Sequence, residues 1–484
     1  MMSRLLLLFT ILAAPGWVLA DDQDSVMVKE LPWQLYMSRV YRYHPVAEQL
    51  RLQPAMAEAM LLETKGAFDP KIASEYVHKD FKETQYFERW DTDIKVPVWN
   101  YADLKLGYEQ NRGVWLNPEA NVPDNGLIYA GVSVPIGRGL FIDSRRAAIK
   151  KAILELDGNE AERQKNMNKF LLMSAKAYWG WAQAYQQLVL AEEGVRLASF
   201  RLSGTLQNVT QGAAAAVDTL EAGLQLRSRR LDYQQAQLDF QTARLYLETF
   251  LWDNVGEPLQ LAPGVVPEAV PPAASLPMPS GLDSLIALVD MHPELVKYQI
   301  KGEQLDVDRR LALENLKPEL NLEYNWLWAP GNNPLDIIAP FENDYKWGAN
   351  FAIPLLYRKE RGKLNQVRIK VEQNSLDQDN IYLQLENEVR QRYAQFQQYD
   401  QMLTQATIMS DQYAQLLAAE RIRFENGESS LFLVNSREVK YLDARKKQID
   451  LEAKLGKALA ELWERSGILE VLWLDWTDTV NGTP

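Results

Sequence analysis

The sequence predicts a mainly α protein with β: long helices forming an α-barrel, joined to a transmembrane β-barrel shared among chains, in an internally duplicated chain. Three observations carry that prediction. Proline is missing from residues 136–257 and 355–483, so nothing there breaks a long helix. Two runs near residues 320–353 alternate apolar and polar at period two, with Tyr and Trp among the apolar members. Landmarks of the first half also recur in the second: His44-Pro45 and His292-Pro293 lie 248 residues apart, as do Pro70 and Pro318 (292 − 44 = 318 − 70).

The chain opens with Arg4, an apolar run Leu5 to Ala14, and the small-residue end Val18-Leu19-Ala20. This is the layout of a secretory signal peptide over residues 1–20, too short in its apolar part for a spanning helix. Beyond residue 20 no uncharged apolar stretch reaches the ~18 residues a membrane helix needs, so any span must be built of strands. Residues 21–254 form the first repeat and 282–466 the second. Between them, residues 255–281 form a linker: Pro258 to Pro279 holds seven of the 23 prolines and reads as extended chain. Residues 467–484 are a C-terminal tail.

Within each repeat the order is helix, proline-marked strands, a second proline, then a very long helical stretch. Leu320, Leu322, Tyr324, Trp326 and Trp328 alternate with Glu319, Asn321, Glu323 and Asn325. Tyr345, Trp347, Ala349, Phe351 and Ile353 alternate with Lys346, Gly348, Asn350 and Ala352. Each run is about nine residues, the length of a tilted strand through a bilayer. The first half offers Lys71–Val77 and the alternating Ile128, Ala130, Val132 and Val134 as counterparts. A further alternating run, Ala102, Leu104, Leu106 and Tyr108, is either an external hairpin or part of the wall. A soluble sheet with one buried face produces the same alternation.

The first long helix is predicted to start at Asp143 or Ser144, both good caps, and to run to about Asn208. At ~1.5 Å per residue it is a rod of about 100 Å, longer than any compact domain. The second starts near Lys359 and runs to about Glu425, followed by a helix to about Arg465. Tyr382, Leu385, Val389, Phe396, Leu403, Ala406 and Tyr413 mark a narrow apolar seam, surrounded by Gln-rich surface. Four strands cannot close around a pore, and a bare strand edge cannot face lipid. On the membrane reading, several chains must therefore share one barrel.

Composition removes competing functions. With no cysteine there is no disulfide, thiolate metal site, cysteine nucleophile or acylated cysteine anchor. Three histidines leave little for a metal centre, and a net charge of −13 argues against nucleic acid as a partner. The nucleotide-binding, zincin and serine-hydrolase motifs are missing, so the chain reads as a non-enzyme with no cofactor, no catalytic residue and no metal ligand.

These segments resemble the TolC-like outer-membrane factors, the outer membrane efflux protein family. The resemblance spans about residues 30–470. It rests on Gly66-Ala67-Phe68-Asp69-Pro70 before the first strand, and on Val134-Pro135-Ile136-Gly137-Arg138-Gly139 with Arg145 at the strand-to-helix junction. It rests also on the turns Gly212 to Ala222 and Arg421 to Ser430. The resemblance implies a homotrimer with four strands per chain in a shared twelve-strand barrel. It places the protein in the outer membrane of a Gram-negative bacterium, in contact with outer-membrane lipid and extending into the periplasm as a helical barrel. Its partners would be a periplasmic adaptor (membrane fusion) protein and an inner-membrane pump. The function implied is a passive exit duct of a tripartite efflux pump or type I secretion system. A soluble periplasmic coiled-coil adaptor or scaffold is the alternative.

On this reading Asp218, Phe424 and Leu433 lie at the periplasmic constriction. The family's second turn often carries Asp where Leu433 stands, which leaves Asp218 as the acidic candidate. Adaptor contacts fall on Gly212, Ala213, Ala214, Gly427, Glu428, Ser429 and Ser430. Glu319, Asn321, Glu323 and Asn325 line an acidic, cation-favouring lumen, while Tyr324, Trp326, Trp328, Tyr345, Trp347 and Phe351 face lipid as an aromatic girdle.

Overall fold

The computed structural model describes residues 30–98, 102–268, 279, 281–330 and 344–473; the signal-peptide reading of residues 1–20 lies outside them. The main α-helices are α1 (Trp33–Tyr43), α2 (Pro45–Arg51), α3 (Gln53–Lys65), α4 (Ser144–Thr210), α5 (Ala216–Glu248), α6 (Leu282–Ala287), α7 (Pro293–Glu314), α8 (Arg358–Glu425) and α9 (Leu431–Arg465). The rods α4 and α8 have 67 and 68 residues, about 100 Å each at ~1.5 Å per residue. Both fill proline-free stretches. Asp143 caps α4 by accepting the Arg146 N–H at 2.8 Å.

Towards one end, α3 and α7 pack on α4, and α7 also packs on α8. Towards the other, α5 lies along α4, and α9 along both α8 and α4. The seam foreseen on α8 is where it packs: Leu385, Val389, Phe396 and Ala406 are buried, and Tyr382, Leu403 and Tyr413 half-buried. Around it, Gln384, Gln391, Gln397, Gln398, Gln401 and Gln405 are exposed.

The main core is a belt around the middle of the rods. Trp33, Tyr36 and Val40 of α1 meet Met167, Leu171, Tyr178 and Trp181 of α4, Leu247 of α5, Leu385 and Val389 of α8, and Leu459 and Leu462 of α9. Polar tips of the aromatics are satisfied inside it: the Tyr178 hydroxyl donates to the Leu31 carbonyl at 2.7 Å, and that of Tyr36 to the Ser174 carbonyl at 3.1 Å. His44 and His292 are matched caps at the starts of α2 and α7. Each Nδ1 accepts a backbone N–H at 3.1 Å, from Val46 and Glu294 respectively. Leu469 and Trp473, past the end of α9, also bury into this core.

Eight strands are described: β1 (Glu30–Leu31), β2 (Lys71–Phe81), β3 (Thr84–Val98), β4 (Ala102–Arg112), β5 (Leu127–Pro135), β6 (Val266–Pro267), β7 (Glu319–Trp328) and β8 (Tyr345–Ala352). β1 pairs in parallel with β6, which ties the linker to the N-terminal segment. The other six form one antiparallel sheet in the order β2-β3-β4-β5-β7-β8.

The expectation of four strands per chain is therefore corrected to six. β4 settles the ambiguous 101–108 run: its described part belongs to the sheet, registered on β5 through Leu106↔Ala130. β3 was not foreseen, although Trp90, Thr92, Ile94, Val96 and Val98 alternate with charged residues and Pro97. Pro97 sits inside that run, where it removes one ladder donor. The duplication held a second clue. Pro135 and Pro354 are 219 apart, 29 fewer than the 248 that separates the histidines (248 − 219 = 29). The β3–β4 hairpin, 84–112, is 29 residues long (112 − 84 + 1).

Candidate channel wall and helical turns

Register assigns every sheet residue to one of two faces. One carries Ile72, Tyr76, Trp90, Ile94, Val96, Leu104, Leu106, Tyr108, Ile128, Val132 and Val134, and continues through Leu322, Tyr324, Trp326 and Trp328 to Tyr345, Trp347 and Phe351. Most aromatics sit in the half of the sheet away from the helices, with aliphatic side chains nearer to them. Tyr324 stacks on Tyr345 with centroids 5.6 Å apart, and Trp90 meets Tyr108 edge-on at 5.9 Å. Among the described residues nothing covers this face: Trp347 is 67% exposed and Phe351 63%. An uncovered apolar area of this extent requires another apolar phase.

The opposite face holds Glu319, Asn321, Glu323 and Asn325, together with Lys71, Glu75, Lys79, Arg89, Asp91, Asp93, Lys95, Asp103, Lys105, Glu109 and Lys346. Seven carboxylates and six cations make it nearly neutral, which corrects the picture of an acidic wall drawn from β7 alone. Charges pair across strands, Lys105 with Glu323 at 2.7 Å and Lys95 with Asp103 at 3.1 Å. Lys105 reaches Glu323 past β5, where Gly131 stands between. A Cβ there would fall 1.8 Å from the Asn325 Oδ1, so any larger residue would push the Asn325 side chain aside.

Sheet and rods are joined tightly. After β5 the Ile136 N–H donates to the Leu320 carbonyl at 2.7 Å and the Arg138 N–H to the Pro318 carbonyl at 2.8 Å. Gly137 lies so close that a Cβ would meet the Pro318 oxygen at 2.1 Å. Arg138 pairs with Glu319 at 2.5 Å, and Arg145 in the first turn of α4 binds Asp103 at 3.3 Å.

At the far end α4 and α8 stop in the same way. Gly212 and Gly427 have φ of 73° and 75°. The Gly212 N–H donates to Val209 and that of Ala213 to Asn208, and Gly427 and Glu428 repeat the pattern onto Phe424 and Arg423. This is the glycine-dependent Schellman stop, used twice. Gly212, Ala213, Gly427, Glu428 and Ser430 are exposed, and Ala214 and Ser429 half-buried. The Ser429 hydroxyl donates to the Glu420 carboxylate at 2.5 Å, which holds that carboxyl below its usual range.

Asp218 caps α5 by accepting the Ala215 N–H at 3.2 Å, and Ser430 caps α9. The fold brings Asp218 and Ser430 to one cleft, with Arg201, Glu221 and Phe432. Phe424 and Leu433 are not among its lining residues; Phe424 is half-buried and Leu433 exposed. Sequence reasoning missed the pair beneath this cleft. Arg201 of α4 and Glu438 of α9 are both buried and hydrogen-bonded to each other, and Arg201 also donates to Asn435 at 2.6 Å. A charged residue on each of two facing helix seams was the available signal.

A one-faced sheet standing on rods of about 100 Å, each ending in a glycine turn, defines the class of envelope-spanning outer-membrane channels. The family model described as "Outer membrane efflux protein" matches residues 102–251 and 288–467, and the chain belongs to that family. It is thus an outer-membrane protein of the Gram-negative envelope whose helical part extends into the periplasm, in a family of transport channels. Among curated proteins none matches the chain.

Solved structures share the fold at low identity. The CmeC outer membrane channel of Campylobacter jejuni is 12% identical with a TM-score of 0.61, over 89% of this chain and 84% of that one. VceC of Vibrio cholerae is 13% identical with a TM-score of 0.62, over 89% and 95%. The open-state MtrE channel of Neisseria gonorrhoeae is 13% identical with a TM-score of 0.64, over 92% and 93%.

Proposed function

We propose that the protein is the passive exit duct of a tripartite efflux pump, working as a homotrimer beneath which a periplasmic adaptor and an inner-membrane pump supply the energy. The observation that carries this reading is the separation of surfaces. One sheet face is apolar and uncovered, the other is polar and internally ion-paired, and the rods deliver two matched turns far from the sheet. Lipid takes the first face, water and cargo pass along the second, and the turns, Gly212–Ala214 and Gly427–Ser430, meet the adaptor. A soluble coiled-coil scaffold leaves the aromatic face unexplained.

Gating falls to the turns, where helix pairs move against each other. Asp218, in the cleft that also holds Ser430, is the residue proposed to set ion preference at the constriction; Phe424 and Leu433, outside that cleft, are proposed to line the constriction apart from it. Because the sheet's polar face is nearly neutral, cation preference rests on that ring. The test is single-channel recording of the purified trimer in planar bilayers, parent against Asp218→Asn. Cation preference should fall at least two-fold while the trimer persists. Unchanged selectivity removes Asp218 from the constriction, and a protein that never conducts overturns the duct. Deleting the gene and following both dye accumulation and secreted proteins separates the pump from a secretion system: only the former should change.

A further inference from the structure

We propose that the Thr84–Arg112 hairpin is built into the barrel wall, so that three copies close into a barrel of eighteen strands, six from each. This rests on the trimeric duct above and deepens it by fixing which edges of the chain meet and how wide the outer pore is.

The hairpin has the faces of a wall. Trp90, Ile94, Val96, Leu104 and Leu106 continue the apolar face, and Asp93, Lys95 and Lys105 the polar one. Its ladders leave no free side within the chain: β3 is registered on β2 and β4, and β4 on β3 and β5. Expelling the hairpin would force β2 onto β5, breaking both outer ladders and the Lys105–Glu323 pair. Its base is also anchored to the rods, through Asp103 and Arg145. A surplus of 29 residues over the second repeat matches one down-and-up excursion, which preserves strand direction on either side.

The two remaining edges are β2 and β8, and both are exposed along their whole length. Unpaired strand edges cannot face hydrocarbon, so in a membrane each must find a partner. β2 leaves the helical end of the sheet and β8 returns to it. Placed side by side in neighbouring copies, they run antiparallel, as every other pair in the sheet does. The fitting partner for each edge is thus a second copy of this chain.

Width follows from strand number. With strands ~4.8 Å apart and tilted ~40°, twelve strands give a backbone radius of about 12 Å and eighteen give about 18 Å. The cross-section more than doubles.

The chain's lack of cysteine permits a clean test by disulfide mapping of full-length protein in membranes. Leu106→Cys with Ala130→Cys should oxidise within one chain, and Ser74→Cys with Ala130→Cys should not. Trp347→Cys, combined in turn with Ile72→Cys, Ser74→Cys and Tyr76→Cys, should link chains into a ladder ending at the trimer. In a second measurement, polymers of graded size are added on the extracellular side of the channel in a bilayer. Deleting residues 82–112 should lower the radius at which they are excluded to about two-thirds, the ratio of the two barrel radii. A trimer in which Ser74→Cys links to Ala130→Cys, or in which the deletion leaves the exclusion radius unchanged, overturns the eighteen-strand wall and spares the duct. A native mass showing a monomer overturns the trimeric reading itself. If the deletion does not assemble, the disulfide map decides alone.

Discussion

Acid should loosen this protein through His292, and the size of the effect can be worked from its surroundings. The ring is buried at the start of α7, against Gly467 and Pro293, with Nδ1 accepting the Glu294 N–H at 3.1 Å. Burial pushes its pKa down to about 4, outweighing the nearby Glu294 carboxylate, which acts in the opposite direction. In the unfolded chain the same group titrates near ~6.5. The folded state therefore holds His292 neutral while the unfolded state takes up a proton. Stability is complete above pH ~6.5 and is lost as pH falls towards 4, by about 2–3 kcal/mol per chain between pH 7.5 and 4.5.

His292→Asn tests this, since asparagine keeps a capping oxygen but does not titrate. Thermal unfolding of the detergent-solubilised protein, followed by circular dichroism at several pH values, compares it with the parent. The variant should lose less of its stability across that window. Parallel pH profiles for the two proteins would refute the reasoning. His44, whose pKa burial also lowers, should act in the same direction.

Glu438→Gln leaves the buried Arg201 guanidinium without its counter-charge and should cost about 3 kcal/mol or more in thermal unfolding. The double replacement Arg201→Met with Glu438→Leu should recover most of that loss, and a silent single variant would show that water reaches the pair. Gly456→Ala should destabilise although alanine is the better helix former, because a Cβ there would fall 2.3 Å from the Trp179 ring. The expected cost is ~1–3 kcal/mol for overpacking, read by the same melt, and a gain in stability would mean that the ring yields.

Most of the helical architecture was legible in the sequence. Proline gaps located the rods, and the cap and turn residues inside them gave their ends to within a residue or two: α4 runs Ser144–Thr210 and α8 Arg358–Glu425. Glycine requirements at 212 and 427 were equally visible, because a Schellman stop needs a positive φ that other residues resist. Strand number was harder to read. β3 was missed although its residues alternate, and whether Pro97 is tolerated there depends on which neighbour its missing N–H faces, a fact of pairing. The charge of the sheet's polar face was also misjudged from β7 alone, since alternation identifies a face but not the strands that share it. For Arg201 and Glu438 a charge on each helix seam was visible, but not their pairing: the two residues are 237 positions apart in sequence (438 − 201).

The sequence by itself thus determined that the chain is duplicated, that its helices run about 100 Å, and that its strands have one apolar and one polar side. These are local properties, written in proline, glycine and period. Only the tertiary structure decided that six strands share one sheet, that their polar face is almost neutral, and that Asp218 meets Ser430 in one cleft. Each of those depends on register between distant segments, and register is set by packing and pairing across the whole fold.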